Sequence, residues 1–253
     1  MLADFAGAGN TAAVRLMLDL GFDPGMARIE PNWVAGETAL HVAAAHGRGP
    51  VAELLIERGA PLEAERHGGS TPLRVAFLCL EQQSEWTPNE YTLPIAEALI
   101  KAGASVEAAG LTLTAAVCLG RIGDIGRLAK EASAKEKQKA LAAAAYNGRQ
   151  SAIDAAIALG ADPNAQNVGL NPNATALHNA VCSGSLAAVQ QLVEVGASIN
   201  AKDGPYKATP LVWAEYFVRE SADKVEFQGD GPRLKQYSEI AAYLRSKEGA
   251  SRP

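Results

Sequence analysis

Apolar residues recur along this chain in pairs of short runs at helical spacing, and residues 175–203 show the pattern most clearly. Thr175 is followed by a short apolar run that ends at Gly184, and a second run ends at Gly196. Thr favours a helix N-cap and Gly favours a helix C-terminus, so two short helices and an extended polar turn are predicted. Such a unit is too small to bury its own apolar face.

The chain supplies further copies of this unit. Thr38 begins a regular copy in which Gly47 and Gly59 have the same offsets from the Thr as Gly184 and Gly196 have from Thr175. Taking the Thr of each copy, or the residue aligned with it, as the frame zero predicts seven copies, with zeros near 0, 38, 71, 112, 139, 175 and 209. Their approximate bounds are 1–32, 33–66, 67–109, 110–134, 135–171, 172–205 and 206–250. We therefore predict one domain over residues 1–253.

The copies resemble the ankyrin repeat, which has a period of about 33 residues and the signature T-P-L-H-x-A. The matching stretches are Thr38-Ala39-Leu40-His41, Thr71-Pro72-Leu73, Thr175-Ala176-Leu177-His178 and Thr209-Pro210-Leu211. This resemblance covers nearly the whole chain and implies an all-α solenoid of stacked helix-turn-helix units with short hairpin loops. It also implies that His41 and His178 hydrogen-bond locally within the capping network of their helices.

Equivalent positions of the second helices predict the core. Leu55, Leu99 and Leu192 share one position, and the next position holds Ile56, Ile100, Ile157 and Val193. The fourth copy is degenerate, with Ile122, Ile125 and Leu128 on its second helix and a cap predicted at Ser133. The first copy starts before Met1, so we expect either residues ahead of it or a shortened natural cap.

Two copies carry insertions between their helices. One spans residues 83–93 and contains Trp86 and Tyr91, and the other spans 219–237 and contains Phe227. The resemblance places this edge opposite the hairpin tips. The insertions are expected either to cover the apolar ends of helices or to form a second contact surface, since long loops in compact units are often functional or disordered.

Composition narrows the class of protein. A net charge of −5 argues against a nucleic acid or an anionic membrane as partner, because both favour a basic face. No apolar run is long enough to span a bilayer, and the N-terminus lacks the features of a secretory signal. The odd set of Cys79, Cys118 and Cys182 is typical of reduced thiols, so a cytoplasmic monomer is expected.

The sequence gives little support for a cofactor, metal or catalytic site. Residues 7–12 imitate a dinucleotide-binding motif, but Gly9 lies at the offset of Gly47 and Gly184, and the motif requires a preceding strand. His41 and His178 are four copies apart, too far to share a metal ion. The cysteines lie among aliphatic residues, where buried thiols are typical. We predict no catalytic residue, no cofactor, no metal and no enzymatic activity.

The resemblance implies an interaction module that binds a protein or peptide through its concave face, by hairpin tips and inner helices. The candidate contact residues are Trp33, Ala45, His46, Arg66, His67, Leu78, Tyr146, Ser183, Tyr206 and Lys207. Each of them has a second reading in which it only covers a neighbouring copy. Two other functions stay open, namely a regulatory or targeting segment of a larger protein, and an enzyme with a site built around an insertion.

Overall fold

The computed structural model describes most of the chain as helix. It describes residues 1–28, 35–81, 92–167, 170–171, 173–204, 206–228 and 231–250, apart from the side chains of 223–228, 231–232 and 249–250. Within these residues, two isolated β-bridges, Ala27 to Thr38 and Arg66 to Ser70, are the extended pairings. The predicted all-α class of paired, stacked helices is confirmed. The chain divides into two compact units, Met1–Ala115 and Ala116–Pro253.

The first unit consists of helix pairs arranged in two layers. Its helices are α1 (Leu2–Ala8), α2 (Thr11–Asp19), α3 (Ala39–Ala45), α4 (Gly49–Glu57), α5 (Pro72–Glu81), α6 (Thr92–Lys101), α7 (Val106–Ala109) and α8 (Leu113–Cys118), which crosses the boundary between the units. Helices α1, α3 and α5 pack side by side, and α2, α4 and α6 form the second layer. The first helix of each pair therefore contacts the first helix of the next.

The second unit repeats this arrangement. Its helices are α9 (Ile122–Leu128), α10 (Ala134–Tyr146), α11 (Gln150–Ala158), α12 (Ala176–Cys182), α13 (Leu186–Glu194), α14 (Pro210–Gln228) and α15 (Gly231–Ala250). Helices α10, α12 and α14 form one layer, and α11, α13 and α15 form the other. Layered helix pairs are therefore the common plan of both units.

The Thr and His residues of the signature cap their helices as the resemblance implies. The Nδ1 atom of His41 lies 2.9 Å from the Thr38 hydroxyl and accepts from the Thr38 amide at 3.2 Å. His178 makes the same two contacts with Thr175. Each second ring nitrogen lies within hydrogen-bond distance of a carbonyl in the next copy, Ser70 for His41 and Ala208 for His178. One imidazole therefore stabilises a helix start and joins two copies.

Glycine closes the first helix of most copies because the turn requires a left-handed backbone. Gly148 has a φ of 62°, and a Cβ atom there would lie 2.9 Å from the Cβ of Ser185. Conformation and space both exclude a side chain at this position. Gly9, Gly47 and Gly184 have similar φ values, so the motif-like residues 7–12 form a repeat turn.

A stripe of leucines forms the centre of the packing between helix layers. Leu55, Leu99 and Leu192 are fully buried, which confirms their predicted role. The next position is only half-buried in Ile56, Ile100, Ile157 and Val193. These residues were predicted to share the core, but they lie at its margin, because one residue along a helix rotates the side chain by about 100°.

Small residues mark the closest packing of the first helices. The position five residues after the frame zero is fully buried alanine or valine in six copies: Ala43, Ala76, Val117, Ala144, Ala180 and Ala214. The first copy has Phe5 there, and its side chain is partly exposed. A small side chain lets neighbouring helices approach closely, and the first copy is the one that lacks a described neighbour on that side.

Two of the irregular segments differ from expectation. Helix α9 forms, but none of its residues is buried and Ile122 is 83% exposed, so the apolar face predicted for the fourth copy is not a core face. Of the insertion predicted over residues 219–237, residues 219–228 lengthen α14 and residues 231–237 lengthen α15. The sequence of these residues is rich in helix-forming side chains. The predicted cap at Ser133 is confirmed, with Glu136 completing a capping box.

We expect Leu192→Ala to lower the free energy of unfolding by about 2–5 kcal/mol, because it leaves a cavity in a fully buried layer. Urea denaturation followed by circular dichroism measures this loss. Leu16→Ala is the matched control, since Leu16 also lies on a second helix but is 61% exposed. Its expected cost is within about 0.5 kcal/mol. Equal costs for the two variants would contradict the position assigned to Leu192.

Candidate binding surfaces at the hairpin tips

Apart from Trp33, which lies outside the described residues, the predicted contact residues lie on the hairpin tips and at the ends of the first helices, in both units. These positions carry side chains that the stacking of helices leaves outside the core. The geometry of each unit therefore decides which side chains are engaged internally and which are accessible to another molecule.

In the first unit, the charged groups near the tips bind one another. Glu37 is almost fully buried, and its two carboxylate oxygens accept from Arg28 at 3.2 Å and from Arg66 at 3.0 Å. Arg28 also pairs with Asp4 of α1. This network joins the first copy to the second. Charge-assisted hydrogen bonds of this kind are stronger than neutral ones, so they stabilise the hairpins.

Arg66 was predicted as a partner contact, and its guanidinium group is largely covered by this network. His67, at the tip beside it, is exposed, and its backbone amide donates to the carbonyl of Ala35. His46 is exposed at the end of α3, next to Gly7. Leu78 is half-buried on α5. The first unit thus presents histidines and one aliphatic side chain beside an internally paired charge cluster.

In the second unit, a buried carboxylate holds the last hairpin. Asp203 is almost fully buried, and one of its oxygens accepts from the amides of Tyr206 and Ala208, both at 3.0 Å. The other oxygen accepts from the indole nitrogen of Trp213 at 2.9 Å. Trp213 in turn packs edge-on against His178. The hairpin tip is therefore fixed to both α14 and the preceding capping histidine.

Exposed aromatic and aliphatic side chains lie beside this fixed hairpin. Tyr206 is 79% exposed at the tip, and Tyr216 and Val212 of α14 are 51% and 46% exposed. Residues four apart share one face of a helix, so Val212 and Tyr216 are neighbours. Tyr216 interacts electrostatically with Tyr206, and the carboxylate of Glu220 raises the pKa of the Tyr216 phenol. All three side chains are accessible, and the two phenols lie near enough to interact electrostatically.

Tyr216 was missed by the sequence analysis although a signal for it exists. It follows Thr209 by seven residues, the same offset at which Ala45 follows Thr38 and Leu78 follows Thr71. Tyr146, half-buried at the end of α10, also has this offset from its frame zero. The repeat frame alone therefore marks Tyr216 as a position at the end of a first helix.

The side chains of Ser183 and Lys207 differ in whether they are accessible to a partner. The Ser183 hydroxyl donates to the carbonyl of Ala180 at 2.7 Å and accepts from the amide of Ser185 at 3.1 Å, so it is engaged in the turn. Lys207 is exposed, and its φ of 52° places it in the left-handed region at the tip. Trp33, Trp86 and Tyr91 lie outside the described residues, as does the side chain of Phe227.

The ionisable side chains do not form a reactive pair in the described part of the chain. Burial raises the pKa of Cys79, and it raises the pKa of Cys182 to about 12, so neither thiol is readily ionised. Burial lowers the pKa of His41 and His178, whose ring nitrogens are occupied by capping bonds. Partial desolvation of the ring lowers the pKa of His46, although its side chain is accessible at the end of α3. Among the described residues, no cluster of His, Cys, Asp and Glu has an arrangement suited to a metal ion.

Two family models match the sequence. One, described as ankyrin repeats in three copies, matches residues 113–203 and 141–223, and another, described as ankyrin repeats in many copies, matches residues 2–56. The chain belongs to the ankyrin repeat family. No curated protein matches it. A similar solved structure is the crystal structure of the human ASB11 ankyrin repeat domain, which is 20% identical, covers 84% of this chain and 90% of its own, and has a TM-score of 0.39.

Membership of this family defines the general class of activity. Ankyrin repeats are generally protein–protein interaction modules, and the repeat is a non-catalytic interaction fold. In the described residues, no helix combines the length and apolar character needed to cross a bilayer.

We expect Asp203→Ala to loosen the last hairpin, because three donors lose their buried acceptor. Hydrogen bonds to charged groups contribute about 1.5–3 kcal/mol each, so amide exchange at Tyr206 and Ala208 should accelerate by at least about tenfold. Mass-spectrometric hydrogen exchange measures this. Asp162→Ala is the matched control, since Asp162 caps a hairpin by one exposed side-chain bond, to the Asn164 amide. Unchanged protection of Ala208 in Asp203→Ala would contradict the role of the carboxylate.

We expect the free energy of unfolding to fall as pH drops below about 6.5. His41 and His178 have folded-state pKa values lowered from 6.5, so the unfolded chain binds protons that the folded chain excludes. The stabilisation is complete above 6.5 and is lost as pH falls toward the folded pKa, at up to about 1.4 kcal/mol per pH unit for each His. Urea denaturation at a series of pH values measures the slope.

The control for this pH dependence is the double variant His41→Gln and His178→Gln. Glutamine at the third helical position still completes a capping box but does not titrate. The variant should therefore lose the part of the slope that these two histidines contribute, and His46 should keep its own part. Wild-type stability that stays constant or rises between about pH 7 and pH 5.5 would show that burial of these imidazoles is not linked to folding.

Proposed function

We infer that this protein binds a protein or peptide partner through the surface formed by its hairpin tips and the last turns of its first helices. The observation that carries this is the exposure of Tyr206, Val212 and Tyr216 together on fixed backbone in the second unit. Contiguous exposed apolar groups on a folded protein mark interaction sites, and tyrosine is enriched among the residues that dominate binding energy.

The rigidity of the backbone beneath this surface supports the inference. Asp203 fixes the hairpin by three hydrogen bonds, and Phe217, next to Tyr216, stacks on the buried Tyr237 with ring centres 4.9 Å apart. Tyr237 also donates to the carbonyl of Cys182 at 3.0 Å. A surface that is ordered before binding loses less conformational entropy when a partner docks. The exposed side chains are therefore presented by a structure that needs little rearrangement.

The first unit offers a partner a different set of side chains. Its tip cations are paired with Glu37, so His46, His67 and Leu78 are the groups left to contact a partner. Histidine and leucine offer less apolar area than a group of tyrosines. We place the main energetic contribution in the second unit and a supplementary one in the first. The insertion residues Trp86, Tyr91 and Phe227 keep their proposed role as a second contact surface.

We expect Tyr206→Ala and Val212→Ala to reduce capture of a partner from a lysate of the native cell, because each removes accessible apolar surface at the proposed site. The full chain is immobilised, and retained proteins are identified and quantified by mass spectrometry. One specific protein should be retained by the wild type and lost, by at least about tenfold, in Tyr206→Ala. The direct dissociation constant is then measured with that purified protein.

Val195→Ala is the matched control for Val212→Ala. Val195 is 41% exposed, close to the 46% of Val212, but it lies at the end of the second helix of its copy. Its replacement should leave capture unchanged. Equal loss in both valine variants, or full retention in Tyr206→Ala, would refute the assignment of the binding surface.

A further inference from the structure

The exposed surface of the second unit combines apolar groups with unpaired positive charges. We call it the Tyr206–Arg219 surface and define it by Tyr206, Lys207, Val212, Tyr216 and Arg219. Lys207 follows Tyr206 at the hairpin tip, and Arg219 lies three residues after Tyr216, on the same face of α14. Lys207 and Arg219 are both exposed. Within the described part of the chain, neither has an ion pair.

The acidic side chains around this surface are engaged elsewhere or held in place. Asp203 is buried and accepts three hydrogen bonds. Glu215 pairs with Arg245 at 2.7 Å, and Glu220 interacts with the phenol of Tyr216. Among the described side chains, the two cations therefore keep their charge available to solvent, and Glu220 is the carboxylate that shares the face of Tyr216. The surface has a positive margin around an apolar centre.

The charges of the two units have opposite balance, which makes this margin distinctive. Met1–Ala115 contains twice as many acidic as basic residues, whereas Ala116–Pro253 contains slightly more Lys and Arg than Asp and Glu. A negatively charged partner is repelled by the first unit and accepted by the second. This contrast selects the second unit as the place where an acidic segment binds.

We propose that the Tyr206–Arg219 surface binds a peptide segment of a partner protein in which an aliphatic side chain is flanked by Asp or Glu. The aliphatic group packs between the two tyrosines and Val212, and the carboxylates meet Lys207 and Arg219. This inference rests on the proposed function and names the chemistry of the partner. Both elements are needed, because complementary charge mainly sets specificity and association rate while apolar burial supplies affinity.

A polyanion such as nucleic acid fits this surface less well than a peptide. The carboxylate of Glu220 lies beside Tyr216, and it opposes a continuous run of phosphates. A peptide places single carboxylates at separate points, so it avoids this group while reaching both cations. The spacing of one cation on the hairpin and one on the helix suits separated charges on either side of an apolar side chain.

The test is a selection from a phage-displayed library of random peptides of about twelve residues, with the full-length chain as bait. Sequences retained by the wild type should be enriched in Asp and Glu next to Leu, Ile or Val. The charge-reversal variant Lys207→Glu and Arg219→Glu should lose the acidic enrichment. Lys235→Glu, a reversal at an exposed lysine of α15, is the control and should keep it.

One enriched peptide is then synthesised with a fluorescent label and titrated with each protein by fluorescence anisotropy. Its affinity should fall by at least about tenfold in the double reversal and in Tyr216→Ala. It should also fall as salt rises, because exposed charges are screened. A labelled single-stranded oligonucleotide serves as the competing probe and should not bind in a Lys207-dependent way.

The outcomes separate this inference from the proposed function. Retained peptides without acidic enrichment, or acidic enrichment that survives the double reversal, overturn the acidic-segment proposal while leaving peptide binding intact. If the oligonucleotide binds the wild type and this binding is lost in the double reversal, the two cations are assigned to nucleic acid. That result also overturns the acidic-segment proposal. If the wild type retains no peptide, the proposal is overturned. The comparison of lysate capture by the wild type and by Tyr206→Ala then decides whether the proposed function survives as recognition of a folded protein.

Discussion

Burial of one apolar stripe between neighbouring helix pairs is the interaction on which the structure depends. A single pair has two short helices and cannot cover its own leucines, so Leu55, Leu99 and Leu192 are buried only because another layer lies against them. The fully buried alanines of the first helices follow from the same requirement, since larger side chains there would separate the layers. Many side chains at the hairpin tips take no part in this packing and stay exposed.

The same requirement explains where regularity is lost. Helix α9 has Gly123 and Gly126 in its short length, and both weaken a helix. Its aliphatic residues are not buried, so it gains little from packing. The boundary between the two units falls nearby, inside α8. The copy that lacks the Thr-His cap and a buried second helix is therefore the place where the chain divides into two compact units.

Sequence alone predicted the features that depend on local chemistry. The capping bonds of His41 and His178 connect residues three apart, and the turn glycines adopt a left-handed backbone that favours glycine. Both features can therefore be predicted from the local sequence. The engagement of Arg66 was not visible, because Glu37 lies 29 residues away and meets it only through folding. The helical character of residues 219–228 and 231–237 was not predicted, because the repeat frame treated any surplus length as an insertion.

The two units use their tip charges in different ways, and this difference follows from the packing. In the first unit, Arg28 and Arg66 pair with the buried carboxylate of Glu37 and connect successive hairpins. Their charges therefore stabilise the fold. In the second unit, Asp203 takes backbone and indole donors instead, and Lys207 and Arg219 keep their charge. A buried carboxylate must be satisfied in either case. When backbone and indole donors satisfy it, the neighbouring cations are left to recognise another molecule.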